Sequence, residues 1–105
     1  MQTINVADTI IENMVYIPGG NLDEKLTNLM ISNFHLQLRE CEESIYRYEA
    51  KYAMEFAEFI KAFDAGEVDS HSHEIERDYM EWEGFCDERS RMLASIREMR
   101  KRICN

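Results

Sequence analysis

One proline and four glycines in 105 residues leave too few turn-forming residues for the many tight corners of a β-sandwich or barrel. Cysteine is almost as scarce. Cys41, Cys86 and Cys104 are an odd number with no Cys-x-x-Cys spacing, which excludes a disulfide framework and a zinc signature and suits a reducing cytoplasm. No apolar run approaches the roughly 18 residues that a membrane span needs. The N-terminus has neither the basic start nor the apolar run of a signal peptide. A cytoplasmic protein with no membrane partner is therefore expected.

The motifs of catalysis are missing as well. There is no Gly-x-Ser-x-Gly, no glycine-rich phosphate loop and no cysteine in a motif that positions a base beside it. A di-iron bundle needs Glu-x-x-His on facing helices, and no glutamate here is followed three residues later by histidine. His71 and His73, with Asp69 or Glu74, could hold a divalent metal only weakly. Two residues apart at the mouth of a helix they splay to different sides, so a solvated loop capped by serine is the simpler reading. His35 is a surface or interface residue on the flank of a helix. Neither an enzyme nor a cofactor is expected.

What is present is helical. The chain is 45% hydrophobic and 31% charged, too apolar for a disordered tail. In residues 1–20, Ile4, Val6, Ile10, Ile11, Met14, Val15 and Ile17 match no single period, and Pro18-Gly19-Gly20 closes the stretch. It reads as an arm, a short helix over 7–16 or an extended piece, packed on the main body. A short strand over 14–17 is the alternative.

Residues 21–105 form the main domain. Asn21 is an N-cap, with Glu24 placed to complete a capping box. Ile31, Phe34, Leu38, Cys41, Ile45, Tyr48 and Tyr52 then alternate spacings of three and four, one apolar seam on a helix over about 22–52. Phe56, Phe59, Ile60 and Phe63 make one face of a short second helix, closed by Gly66 in the left-handed conformation. From about Ser72 to Ile103, Trp82, Phe85, Arg89, Met92, Ile96, Met99 and Ile103 repeat the seam. The fold class expected is all-α: a long antiparallel helical hairpin with a short Phe-rich helix in the connector and a short N-terminal segment.

Charge is segregated. Between Glu40 and Glu88 there are 16 acids against four bases, whereas Arg89 to the C-terminus carries six bases against Glu98 alone. The acidic middle repels nucleic acid and favours a basic protein partner. The basic end is what the C-terminal turn of a helix prefers. The run "RDYMEWEGF" at 77–85 places Asp78, Tyr79, Glu81, Trp82 and Glu83 together. Trp82 is most simply core, its neighbours alternating rings inward and most carboxylates outward. The same five residues are the candidate partner-binding site, since tryptophan is favoured in both settings.

Lys51, Tyr52 and Met54, then Glu58-Phe59, Gly66-Glu67, Asp78 and Glu81-Trp82 resemble a "KYGM…EF…GE…D…EW" pattern over roughly residues 45–100. The pattern belongs to small helical proteins identified as candidate antitoxins of prokaryotic toxin–antitoxin modules, encoded beside a small ribonuclease-like toxin. The resemblance implies a non-enzymatic antitoxin that binds and neutralises a basic toxin. This chain departs from the pattern at Ala53, where glycine stands, and alanine does not favour a left-handed helix end. The alternative is a homo-oligomeric helical bundle with a structural or scaffold role. When no partner is present a homodimer in a four-helix bundle is expected, on the ground that one thin hairpin cannot cover two apolar seams with their aromatic and Met flanks.

Overall fold

The computed structural model describes residues 5–104, so Ile4 falls outside the described residues. Four α-helices follow one another: α1 (Asp8–Asn13), α2 (Leu22–Tyr52), α3 (Phe56–Asp64) and α4 (His73–Cys104), with a 3-10 turn at Met14–Tyr16 after α1. Helices α2 and α4 pack along each other as the two arms of a hairpin, α3 lies in the connector, and the molecule is a rod of 58 × 29 × 26 Å. No strand occurs among the described residues.

Local signals explain the helix ends. The Asn21 carboxamide accepts from the Glu24 amide at 2.9 Å, as an N-cap does. The Glu24 carboxylate reaches back one residue further than a simple capping box, to the Gly20 amide at 2.6 Å. Helix α3 ends in a Schellman motif: the Gly66 amide donates to Phe63 and the Glu67 amide to Ala62, with Gly66 at φ +75°. Helix α4 opens at His73, where the Ser72 hydroxyl accepts from the Ile75 amide at 3.4 Å.

Ala53 settles a point that its identity leaves open. It adopts φ 56°, ψ 38°, and is the one non-glycine residue with positive φ among the described residues. Its amide and that of Met54 both donate to the Glu49 carbonyl. The helix therefore stops sharply with alanine in a conformation that suits glycine, because the rings on either side of the turn hold it there.

The two seams face each other. Cys41, Ile45, Phe59, Trp82 and Met92 form the buried core, with Phe34, Leu38, Tyr48, Tyr52, Phe56, Phe63, Tyr79 and Phe85 packed around it. Ile96 is buried as well, and the seam ends at Ile103, which is 41% exposed. One hairpin thus covers the seams except at Ile103, while Tyr46, Met30 and Met80 on their flanks stay exposed. The arm joins the far end. Met14 is buried, its carbonyl accepts from the Lys25 ammonium at 2.7 Å, and the Pro18 carbonyl accepts from the Asn28 carboxamide at 2.7 Å. Helix α1 followed by the 3-10 turn replaces the short strand considered for residues 14–17. Gly19, at φ +142°, lies so close to α2 that a Cβ there would sit 2.8 Å from the Lys25 nitrogen.

Replacing Ala53 with glycine should stabilise the protein. Relief of the left-handed conformation is worth about 1–2 kcal/mol, against about 0.4–1 kcal/mol of added unfolded-state entropy. A net gain of about 0.5–1 kcal/mol is expected in urea denaturation, with the slope unchanged.

Candidate functional site

Lys51, Tyr52, Phe59, Asp78 and Trp82 meet at one end of the rod, where α2 ends, α3 lies in the connector and α4 begins. Trp82 is wholly buried at the centre, as is Phe59. Its ring stacks on Tyr48 at 5.6 Å and on Tyr52 at 5.9 Å, with interplanar angles of 18° for both. Phe56 and Phe59 approach from α3 at 5.1 and 5.0 Å. Each ring fits because helix spacing presents Tyr48 and Tyr52 on one face of α2, and Phe56 and Phe59 on one face of α3. The indole Nε1 is buried and has no hydrogen-bond partner among the described residues.

A polar clasp lies beside the rings. Asp78 is only 8% exposed. One of its carboxylate oxygens accepts from the Lys51 ammonium at 2.6 Å and from the Tyr52 hydroxyl at 2.6 Å. Lys51 also pairs with Glu74 at 2.6 Å, and the Tyr48 hydroxyl donates to Glu81. Burial alone would raise the Asp78 pKa, but the hydrogen bonds from Lys51 and Tyr52 outweigh it and hold the carboxyl below its ordinary value. The same bonds to Asp78 and Glu74 raise the Lys51 pKa. Tyr48 and Tyr52 are pushed up to about 12, first by burial and then by their carboxylate partners.

This arrangement divides the five residues expected to bind a partner. Asp78 and Trp82 are inside the fold, so neither presents a surface. Asp78 is the exception to the outward turn expected of most of the carboxylates, because Lys51 and Tyr52 supply partners that let it be buried. Glu81 and Glu83 are exposed and Tyr79 is half-buried. Tyr79 lines a shallow groove of about 190 Å³ with Phe63, Glu76 and Met80, and Met80 is 73% exposed. Burial raises the Tyr79 pKa first, and the negative charges of Glu83 and Asp64 raise it further. Phe63 and Met80 are groove residues; the sequence signalled Phe63 only as a position on the inner face of its helix.

The remaining candidates are dispersed. His71 lies in a turn, where its amide donates to Asp69 at 3.0 Å, and the His73 side chain is 99% exposed, 3.8 Å from Glu76. Among the described residues no three His, Cys, Asp or Glu side chains converge on a possible metal position. His35 sits on the outer flank of α2, its Nε2 3.1 Å from the Arg100 guanidinium. Cys41 donates its thiol to the Phe85 carbonyl at 3.0 Å, and burial raises the pKa of both Cys41 and Cys86, the opposite of an activated nucleophile. No helix among the described residues is long and apolar enough to cross a membrane.

No family model matches the chain, no curated protein matches it significantly, and no solved structure does.

Two measurements probe this junction. Trp82→Ala should destabilise the fold by about 3–5 kcal/mol in denaturant titration, as large aromatic truncations do. Trp82→Phe should cost only about 1 kcal/mol, because losing an unpartnered indole N–H relieves about 1–3 kcal/mol of the penalty for the smaller ring.

The second is the pH profile of stability. Folded Asp78 holds its proton less tightly than unfolded Asp78, so its contribution is complete above its ordinary value of 3.8 and is lost as pH falls through the lower folded value. The tyrosines act at the other limb. Their contribution is complete below 10 and is lost as pH rises towards about 12. Thermal melts across pH should show a plateau between these limits, and Asp78→Asn should lower the plateau and flatten the acid limb.

Proposed function

We propose that the protein is a non-enzymatic interaction module, an antitoxin that neutralises a small basic toxin by binding it at the connector end of the rod. The observation that supports this is the groove of Phe63, Tyr79 and Met80 with Glu76 in its lining, while the exposed Asp64 and Glu83 add negative charge around Tyr79. An apolar centre with a polar rim is the anatomy of an interface hot spot. The carboxylate rim suits a surface built to hold RNA phosphates, since such a surface must be basic. Glu74 and Glu81 are tied to Lys51 and Tyr48, so the steering charge resides chiefly in Glu76, Glu83 and Asp64. The aromatic junction beneath keeps the groove rigid, so little ordering accompanies binding.

A homo-oligomeric scaffold is the second reading. It is supported by the large apolar side chains left exposed at the opposite end of the rod: Ile10, Ile11, Val15 and Tyr16 of the arm, and Leu22, Leu29, Met30 and Leu36 of α2. The two readings use different surfaces and are compatible in one molecule.

The toxin reading is tested by stopped-flow association with the protein encoded by the adjacent gene. Glu76→Lys with Glu83→Lys should slow association about tenfold or more at 0.01 M salt and far less at 1 M, as the Debye length shrinks from about 30 Å to about 3 Å. Met80→Asp should speed dissociation while leaving the melting curve unchanged, because Met80 is exposed. A rate indifferent to salt and to these variants would leave the acids as a solvated helix face.

A further inference from the structure

Helix α2 carries two apolar periodicities, and the hairpin uses one. Leu22, Leu29 and Leu36 recur every seven residues and are 45%, 47% and 52% exposed. Leu26 is half-buried and Asn33 is exposed. Together Leu22, Leu26, Leu29, Asn33 and Leu36 alternate spacings of four and three, the heptad rhythm of a coiled coil. At about 100° per residue this run is centred roughly 140° around the helix from the seam of Ile31, Phe34, Leu38 and Cys41. Helix α4 lies against that seam and cannot reach the second run. A single exposed leucine on a surface is ordinary. Three in heptad register, flanked by Met30 at 43% exposure and by Tyr16 of the arm at 84%, form a contiguous face.

We propose that this face joins two copies of the chain, α2 against α2 of the second copy, as a short parallel two-stranded coiled coil. The proposal rests on the self-association reading and assigns its surface and its register. The run matches a copy of itself. In parallel register each leucine meets its equivalent, and Asn33 meets Asn33 of the second copy, so the two carboxamides can bond each other. One asparagine among leucines is the pattern that selects pairing state and register in parallel coiled coils.

The antiparallel arrangement fits less well. There Asn33 would face Leu29 of the second copy, with no partner for the amide. The flanks add the same preference: antiparallel pairing sets Lys25 opposite Arg39 of the second copy, like against like. Parallel pairing sets Lys25 beside Met30 and Ser32 beside Gln37, with no like charges along the run; Glu40 and Glu43 would meet their equivalents only beyond Leu36, where the pairing ends. The run spans only Leu22 to Leu36, too short for isolated peptides to pair well. Here the helix is already formed and braced by α4, so association does not bear the cost of ordering it. The result is not a closed four-helix bundle. Only α2 and its copy touch, and both connector ends project from the same end of the stem, free to bind.

The test is sedimentation equilibrium of the full chain from about 1 μM to 1 mM, with two variants. The unmodified chain is expected to dimerise. Leu29→Glu with Leu36→Glu should weaken the dimer at least about 100-fold and leave circular dichroism and melting of the monomer intact, since both side chains are exposed. Register is read by Leu22→Cys, at the first position of the run, in a Cys104→Ser background, with Cys104→Ser alone as control. Parallel pairing brings the two introduced positions within disulfide reach, so oxidation should yield a covalent dimer absent from the control. Antiparallel pairing would separate them by about 27 Å.

A chain that stays monomeric throughout overturns the proposal and the self-association reading together. A dimer that survives the double glutamate variant leaves self-association standing and overturns this face. A dimer that depends on the leucines but gives no Leu22→Cys cross-link overturns the parallel register.

Discussion

The packing of Trp82 beneath α3 is the contact on which the rest depends. A two-helix hairpin has a thin interior, and its α2–α4 seam tapers to half-buried positions at both ends. Five aromatic rings at the connector end widen that interior, and there Trp82 and Phe59, with Ile45 of the seam, are wholly removed from water. Burying rings of that size contributes far more per residue than the leucines and isoleucines further along. It also fixes geometry. Once Phe56 and Phe59 are seated on Trp82, the turn at Ala53 has little freedom, and alanine is held where glycine would be at ease.

The junction is apolar at its centre and ionic at its edge, and each part supports the other. Asp78 can be buried only because Lys51 and Tyr52 satisfy it, and those two are in place only because Tyr52 is stacked on Trp82. A carboxylate drawn inward by an exposed lysine contributes little by Coulomb attraction alone. Its value lies in register, since the hydrogen bonds to Lys51 and Tyr52 tie one turn of α4 to the last turn of α2. Sliding the helices by a turn would leave a buried charge without its partner.

The two ends of the rod differ in what they leave exposed. The connector end shows carboxylates around a small apolar groove. The arm end shows leucines and the arm's own apolar side chains beside the basic C-terminal turns of α4, with Asp23 bonded to Arg102 at 2.7 Å. The first is suited to attracting a basic surface from a distance, the second to close contact between apolar faces. A rod with its stable core at one end can present both without either disturbing the other.

The linear pattern sufficed for the architecture. Asn21 and Gly66 mark helix ends through side-chain and backbone chemistry that acts within a few residues, and the three-four alternation through Tyr52 and through Ile103 places one face of each long helix inward. Trp82 was legible as core for the same reason. The fate of the acids was not. Asp78, Glu81 and Glu83 look alike in the run that contains them, and only the fold brings Lys51 and Tyr52 from a distant part of the chain to bury one and leave the others in water. The leucine run of α2 shows the same limit. Both of its apolar periodicities are written in the residues, but a helix has room for two such faces, and which one the chain covers itself was decided only when α4 packed against the other. Short-range chemistry sets where helices begin and end, whereas burial is a property of surfaces that meet, and those come from residues far apart in the chain.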